Sequence, residues 1–90
     1  MEAEAADARN FLRVLRPGAY EIPERPGWSF SLLALSEKVE GLTIRGAKYE
    51  AAGVTLLNPS TLGQSNAFRG DVFISFESGV LALVCSRLED

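Results

Sequence analysis

Trp28-Ser29-Phe30-Ser31-Leu32-Leu33-Ala34-Leu35 is the stretch on which the fold turns. Trp28, Phe30, Leu32 and Ala34 share one face of a two-residue period, and Ser29, Ser31, Leu33 and Leu35 share the other. The strand opens with one polar face and ends apolar on both. That change predicts a second half lying centrally in a sheet.

Toward the C-terminus the same period recurs. After a turn over Glu37 to Gly41, Leu42 and Ile44 point inward while Thr43 and Arg45 point outward. Ala47 and Tyr49 rejoin the apolar face only if one residue is skipped, which predicts a β-bulge at Gly46. Ala51 to Gly53 reads as a turn and Val54 to Leu57 as a strand. Residues 58–70 carry Asn58, Pro59, Ser60, Thr61, Gly63, Gln64, Ser65, Asn66 and Gly70, a composition that reads as one long loop.

Val72 to Phe76 and Val80 to Cys85 read as strands around Ser78-Gly79. A two-residue loop there sets Phe76 opposite Leu81, Ile74 opposite Leu83 and Val72 opposite Cys85, all apolar on one face. A three-residue loop mixes the faces, so the two-residue register is predicted. Leu81, Val84, Cys85 and Leu88 also fit a helical period, but the preceding turn and the strand-rich context favour a strand.

Toward the N-terminus the period changes. Ala3, Ala5, Ala6 and Ala8 are strong helix formers, and Ala8, Phe11, Leu12 and Leu15 recur at helical spacing, which predicts a helix over residues 3–16. Acidic residues at its start, arginines at its end and Pro17-Gly18 beyond complete that reading. Pro23 confines a strand over Ala19 to Ile22 to an edge or a terminus. The predicted fold class is α+β: an N-terminal helix packed on a twisted antiparallel sheet of about five strands, which could curl into a partial barrel, with residues 1–90 forming a single domain.

The composition narrows function. Twelve acidic residues against nine basic give a net charge of −3, which disfavours a general nucleic-acid binder. Hydrophobic residues at 47% and charged residues at 23% describe an ordinary globular chain. With no His and one Cys, the commonest general base, the commonest metal ligand and any internal disulfide are excluded. The acidic N-terminus is unlike a secretory signal, and no apolar run is long enough to span a membrane, so a cytoplasmic location is expected. Cys85, inside the apolar run from Val80, reads as a small buried hydrophobe rather than a nucleophile. No catalytic constellation, metal-ligand set or cofactor motif is predicted.

Two features carry functional expectations. On the predicted helix, Arg9, Arg13 and Arg16 form a stripe within about 60° of arc that suits an acidic surface or phosphates. The 58–70 segment offers Asn58, Gln64, Asn66, Phe68 and Arg69, with Phe68 and Arg69 of types that interfaces favour. Arg69-Gly70-Asp71 reads as a chance tripeptide. By elimination the expected function is a small non-catalytic protein-binding module, such as a stoichiometric inhibitor, an immunity-type factor or an assembly subunit. Its partner would be another protein or a second copy of the chain. Trp28 and Phe30, as stacking platforms beside the arginine stripe, would support a nucleic-acid-associated protein as the alternative; a small enzyme is the third reading. On the protein-binding reading, Phe68→Ala and Arg69→Ala weaken binding with little change in melting temperature.

Overall fold

The computed structural model describes residues 4–6, 10–58 and 61–87, the side chains of 4–6 and 61–65 excepted. Every regular element among them is a strand: β1 (Glu4–Ala6), β2 (Asn10–Leu15), β3 (Gly18–Ile22), β4 (Trp28–Ala34), β5 (Lys38–Ala47), β6 (Ala51–Leu57), β7 (Thr61–Phe76) and β8 (Leu81–Arg87). The hydrogen-bonded order is β1-β2-β8-β4-β7-β5-β6, and β3 joins by pairing with β7; all the pairings are antiparallel.

The 16-residue β7 organises this path. Its first half pairs with β4, through Ser29↔Ala67 and Phe30↔Asn66, and its second half pairs with β3 and β5, through Tyr20↔Ile74 and Ile44↔Ile74. One strand therefore passes from one layer to the other. Their inner faces close on a common core that takes Leu15, Phe30, Leu32, Leu81 and Leu83 from one side and Val39, Leu42, Ile44, Val72, Ile74 and Phe76 from the other. Burying each such side chain stabilises the fold by about 1.5–3 kcal/mol, which a barrel-like sandwich needs in the absence of a helix to cover either face.

The alternation in β4 matches its reading: Phe30, Leu32 and Ala34 are buried, and the strand lies between β8 and β7. The slip at Gly46 is likewise present. Arg45 pairs with Phe73 but Ala47 pairs with Phe68, so the ladder shifts at the glycine. Gly46 has a φ of 83°, and a Cβ there would collide with the Asp71 carbonyl oxygen. Only glycine allows the two backbones to approach this closely. Ala19 to Ile22 falls within β3, which pairs with β7, and residues 81–87 form a strand.

Four expectations need correction. The α+β class is overturned, because no helix occurs among the described residues. In place of the helix over 3–16, β2 pairs along its length with β8, from Asn10↔Ser86 to Leu15↔Leu81, and β1 pairs with β2. Helix propensity is worth only tenths of a kcal/mol per residue, and a free strand edge with an apolar face outweighs it. Phe11 and Leu15 fall on the same face under either period, so their spacing did not discriminate. The sheet also exceeds five strands.

The long loop is the third correction, since residues 61–70 belong to β7. Their glycines and polar residues accompany a ladder irregularity opposite Phe30 and Leu32 rather than a turn. The fourth concerns the C-terminal hairpin. β7 and β8 are not partners: Phe76 pairs with Gly18, Ile74 with Tyr20 and Ile44, and Leu81 with Leu15 and Ala34. Residues 77–80 instead cross between the layers, tied by Glu40↔Ser78 and by the Leu35 N–H donating to the Val80 carbonyl at 2.9 Å. Apolar separation across two strands cannot reveal that each has a different neighbour.

Candidate ligand-binding surface

Asn66 is the only buried polar residue among the described side chains, 1% exposed. Its Oδ1 accepts the N–H groups of Tyr49 and Ala67, both at 2.9 Å, and its Nδ2 donates to the Tyr49 carbonyl at 2.9 Å. The Lys48 N–H donates to the Ala67 carbonyl at 2.9 Å, and the Gly46 N–H donates to Glu50 Oε2 at 2.8 Å. The turn between β5 and β6 is thus held at successive backbone positions without belonging to the ladder. The result is a held backbone at Tyr49, which is 53% exposed and has Lys48 Nζ 5.2 Å from its ring centroid. A flat aromatic face on such a turn can stack a planar ring without the backbone first having to be ordered. Tyr49, expected on the apolar face, points outward instead.

The predicted site residues scatter. Asn58 Nδ2 donates to the Ala34 carbonyl at 2.8 Å, joining the β6 end to β4. Phe68 packs on Phe30 with ring centroids 5.0 Å apart, so it borders the core. Arg69 is exposed on β7, and Gln64 lies on β7 with its side chain outside the described set. Asp71 Oδ1 accepts the Glu24 N–H at 2.9 Å, giving the Arg69-Gly70-Asp71 tripeptide a local structural use.

The helix expected to carry the arginine stripe is replaced by β2 over Asn10–Leu15. Arg9 lies outside the described residues, Arg13 is on β2 with its guanidinium 5.5 Å from the Tyr20 ring centroid, and Arg16 follows β2. Tyr20 Oη accepts the Arg16 N–H and donates to the Arg16 carbonyl, at 3.2 and 2.7 Å, which braces that corner. Phe30 is buried and offers no stacking surface; Trp28 instead meets the Arg25 guanidinium at 4.3 Å.

Two concavities accompany the Tyr49 turn. An outer groove of about 410 Å³ crosses β3, β7 and β5, where the exposed Phe73 lies between Glu21 and Arg45 in the ladder. A second cavity, of about 370 Å³, opens between β2, β8 and the β3–β4 connection and has Arg25 and Cys85 in its lining. Burial pushes the Cys85 thiol above its ordinary value of 9.0, and the Arg25 charge opposes that rise more weakly. The thiol is a neutral part of the floor near pH 7. Among the described residues no group of acidic, His or Cys side chains could hold a metal ion, and no helix is long and apolar enough to cross a membrane.

Residues 19–81 match the family model described as thiamin pyrophosphokinase, vitamin B1 binding domain. Among solved structures, the chain is similar to thiamine pyrophosphokinase from Bacillus subtilis, with a TM-score of 0.89 and 26% identity over 97% of this chain and 42% of that one. Thiamin pyrophosphokinase from Geobacillus thermodenitrificans gives a TM-score of 0.84 and 27% identity over 97% of this chain and 40% of that one. The enzyme from Candida albicans, 18% identical over 89% of this chain and 31% of that one at a TM-score of 0.73, supports the fold alone. No curated protein matches significantly. The chain spans about two fifths of the length of the two bacterial structures.

These matches overturn the non-catalytic reading. An inhibitor, immunity factor or assembly subunit was reached because catalytic motifs are lacking, yet a vitamin-binding part of an enzyme need not carry such motifs itself. The family match covers most of the chain, from β3 to the start of β8, and the two bacterial structures share its fold throughout. The chain belongs to the thiamin pyrophosphokinase vitamin B1 binding domain family.

Proposed function

We propose that the chain binds thiamin and presents it for pyrophosphate transfer, with Tyr49 as the platform for one of the vitamin's rings. The observation that carries this reading is the match of residues 19–81 to a domain described by its vitamin B1 binding. The Asn66–Tyr49 turn lies inside that span. Thiamin joins a flat aminopyrimidine to a cationic thiazolium bearing a primary alcohol. A phenol on an ordered turn suits stacking on the aminopyrimidine, since the Lys48 ammonium beside the ring disfavours the thiazolium cation there. The net charge of −3 favours approach of a cation. In the transfer, the alcohol oxygen forms a bond to phosphorus of a triphosphate donor, a P–O bond of the donor breaks, and the alcohol proton departs. The ninety residues supply the vitamin side of that reaction, and the donor side is assigned to protein beyond them. A reducing cytoplasm suits the unpaired, buried Cys85.

Calorimetric titration of thiamin into the full chain tests the reading. One-site saturable heat is expected, and Tyr49→Ala weakens it about tenfold, the equivalent of a stacking contact of about 1.4 kcal/mol. No binding by the unaltered chain would overturn the thiamin reading. Unchanged affinity in Tyr49→Ala would overturn the platform.

A further inference from the structure

The cavity of about 370 Å³ has a chemistry unlike the Tyr49 turn and shares no lining residue with it. Its floor is apolar: Leu83 and Cys85 from β8, both buried, with Ile22 at the end of β3. Phe11 and Arg13 stand beside them on β2, in register with Cys85 and Leu83. The β3–β4 connection forms the opposite wall and is itself fixed. The Glu24 N–H donates to Asp71 Oδ1 at 2.9 Å, and the Trp28 N–H donates to the Arg25 carbonyl at 3.1 Å.

Arg25 is the informative residue. Its guanidinium carbon lies 4.3 Å from the Trp28 ring centroid and 5.4 Å from that of Phe11, at the margin of a cavity that Arg13 and Glu24 also line. Aromatic faces restrain the guanidinium plane but accept none of its in-plane N–H groups. A planar donor fork, held in orientation and partly desolvated, matches carboxylate or phosphate oxygens. Arg25 and Cys85 line the same cavity.

We propose that this cavity is a second ligand site, which takes a small organic anion whose apolar ring lies over Leu83, Cys85 and Ile22 and whose carboxylate or phosphate is bound by Arg25. With Arg13 and Arg25 against Glu24, the lining carries an excess of positive charge that disfavours a thiazolium cation, so the site is not a second seat for thiamin. It does not depend on the Tyr49 assignment.

The chain has a single tryptophan, and it is the one in contact with Arg25, so its fluorescence reports on the site directly. Benzoate, phenyl phosphate and the neutral benzyl alcohol are titrated separately into the full chain. At least one anion produces a saturable change with a dissociation constant on the order of 1 mM, set by the few atoms such probes offer, and the tighter anion identifies the headgroup. Benzyl alcohol binds at least tenfold more weakly. Arg25→Gln weakens anion binding at least tenfold, and Arg25→Lys, which keeps the charge and loses the planar fork, weakens it severalfold. Circular dichroism establishes that each variant is folded, and Arg25→Lys decides alone if Arg25→Gln is not. Failure of both anions to saturate, equal binding of benzyl alcohol, or unchanged affinity in the folded arginine variants would overturn the proposal.

Discussion

Asn66 stands in for a neighbouring strand at Tyr49: its carboxamide accepts the Tyr49 N–H and donates to the Tyr49 carbonyl, each at 2.9 Å. A backbone residue in an antiparallel ladder makes the same exchange with its partner. Here a buried side chain makes it, and the ring beyond stays outside the core. The local fold and the proposed binding surface therefore depend on one carboxamide.

Asn66→Ala leaves the Tyr49 N–H and carbonyl without their buried partner and should cost about 2–3 kcal/mol. Chemical denaturation measures it as a lower midpoint with an unchanged slope. Asn66→Asp separates the two halves of the exchange. It keeps the acceptor for the Tyr49 and Ala67 N–H groups, loses the donor, and sets a carboxyl oxygen against the Tyr49 carbonyl. It should therefore also lower the denaturation midpoint relative to the unaltered chain. An unchanged midpoint would contradict this.

Gly46 and Gly53 both have positive φ, 83° and 63°, but in different surroundings. A Cβ on Gly53 meets nothing within 4 Å, so Gly53→Ala should cost only the backbone penalty of about 1 kcal/mol. A Cβ on Gly46 meets the Asp71 carbonyl oxygen, so Gly46→Ala adds a backbone shift at the β5–β7 bulge and should cost at least about 2 kcal/mol. Equal midpoints for the two variants would refute the close-approach argument.

What could be read from residues alone follows from the range of the interaction. Phe30, Leu32 and Ala34 declare β4 because alternation is a local property of one strand. Gly46 declares its bulge because a phase slip is visible within the strand that contains it. Residues 10–15 declare no such thing: Phe11 and Leu15 suit a helix or a strand, and only the edge of β8, some seventy residues away, decides between them. The same limit hid the ligand surface. Asn66 looks like a turn former until Tyr49 is beside it, and Arg25 looks like a loop charge until Trp28 and Phe11 meet it. The exclusion of catalytic motifs was a sound local observation, but it did not justify a non-catalytic role for the whole chain.

Cys85 should react slowly with iodoacetamide in the native chain and rapidly in urea, because burial both covers the sulfur and holds the thiol protonated. Its folded-state pKa lies above the unfolded one. The resulting contribution to stability is fully present below the ordinary value of 9.0 and is lost as pH rises through the folded value. Cys85→Ala, lacking the titrating group, should lose less stability over that alkaline range. Identical alkaline profiles for the two proteins would show that the thiol does not contribute.

Phe68 and Arg69 are neighbours with different work, and the pair tests the revised reading of residues 61–70. Both were expected to weaken partner binding on truncation without affecting the melting temperature. Phe68 in fact tilts against Phe30 at a centroid distance of 5.0 Å and borders the core, whereas Arg69 faces solvent. Phe68→Ala removes a half-buried ring and opens the space beside a fully buried one. It should cost about 2 kcal/mol, less than truncating a fully enclosed Phe, and lower the melting temperature by roughly 10 °C. Arg69→Ala should stay within about 0.5 kcal/mol of the unaltered chain, as exposed substitutions do. Calorimetry on the two variants settles the matter. Equal melting temperatures would return Phe68 to the surface and remove the packing reason for placing it in a strand.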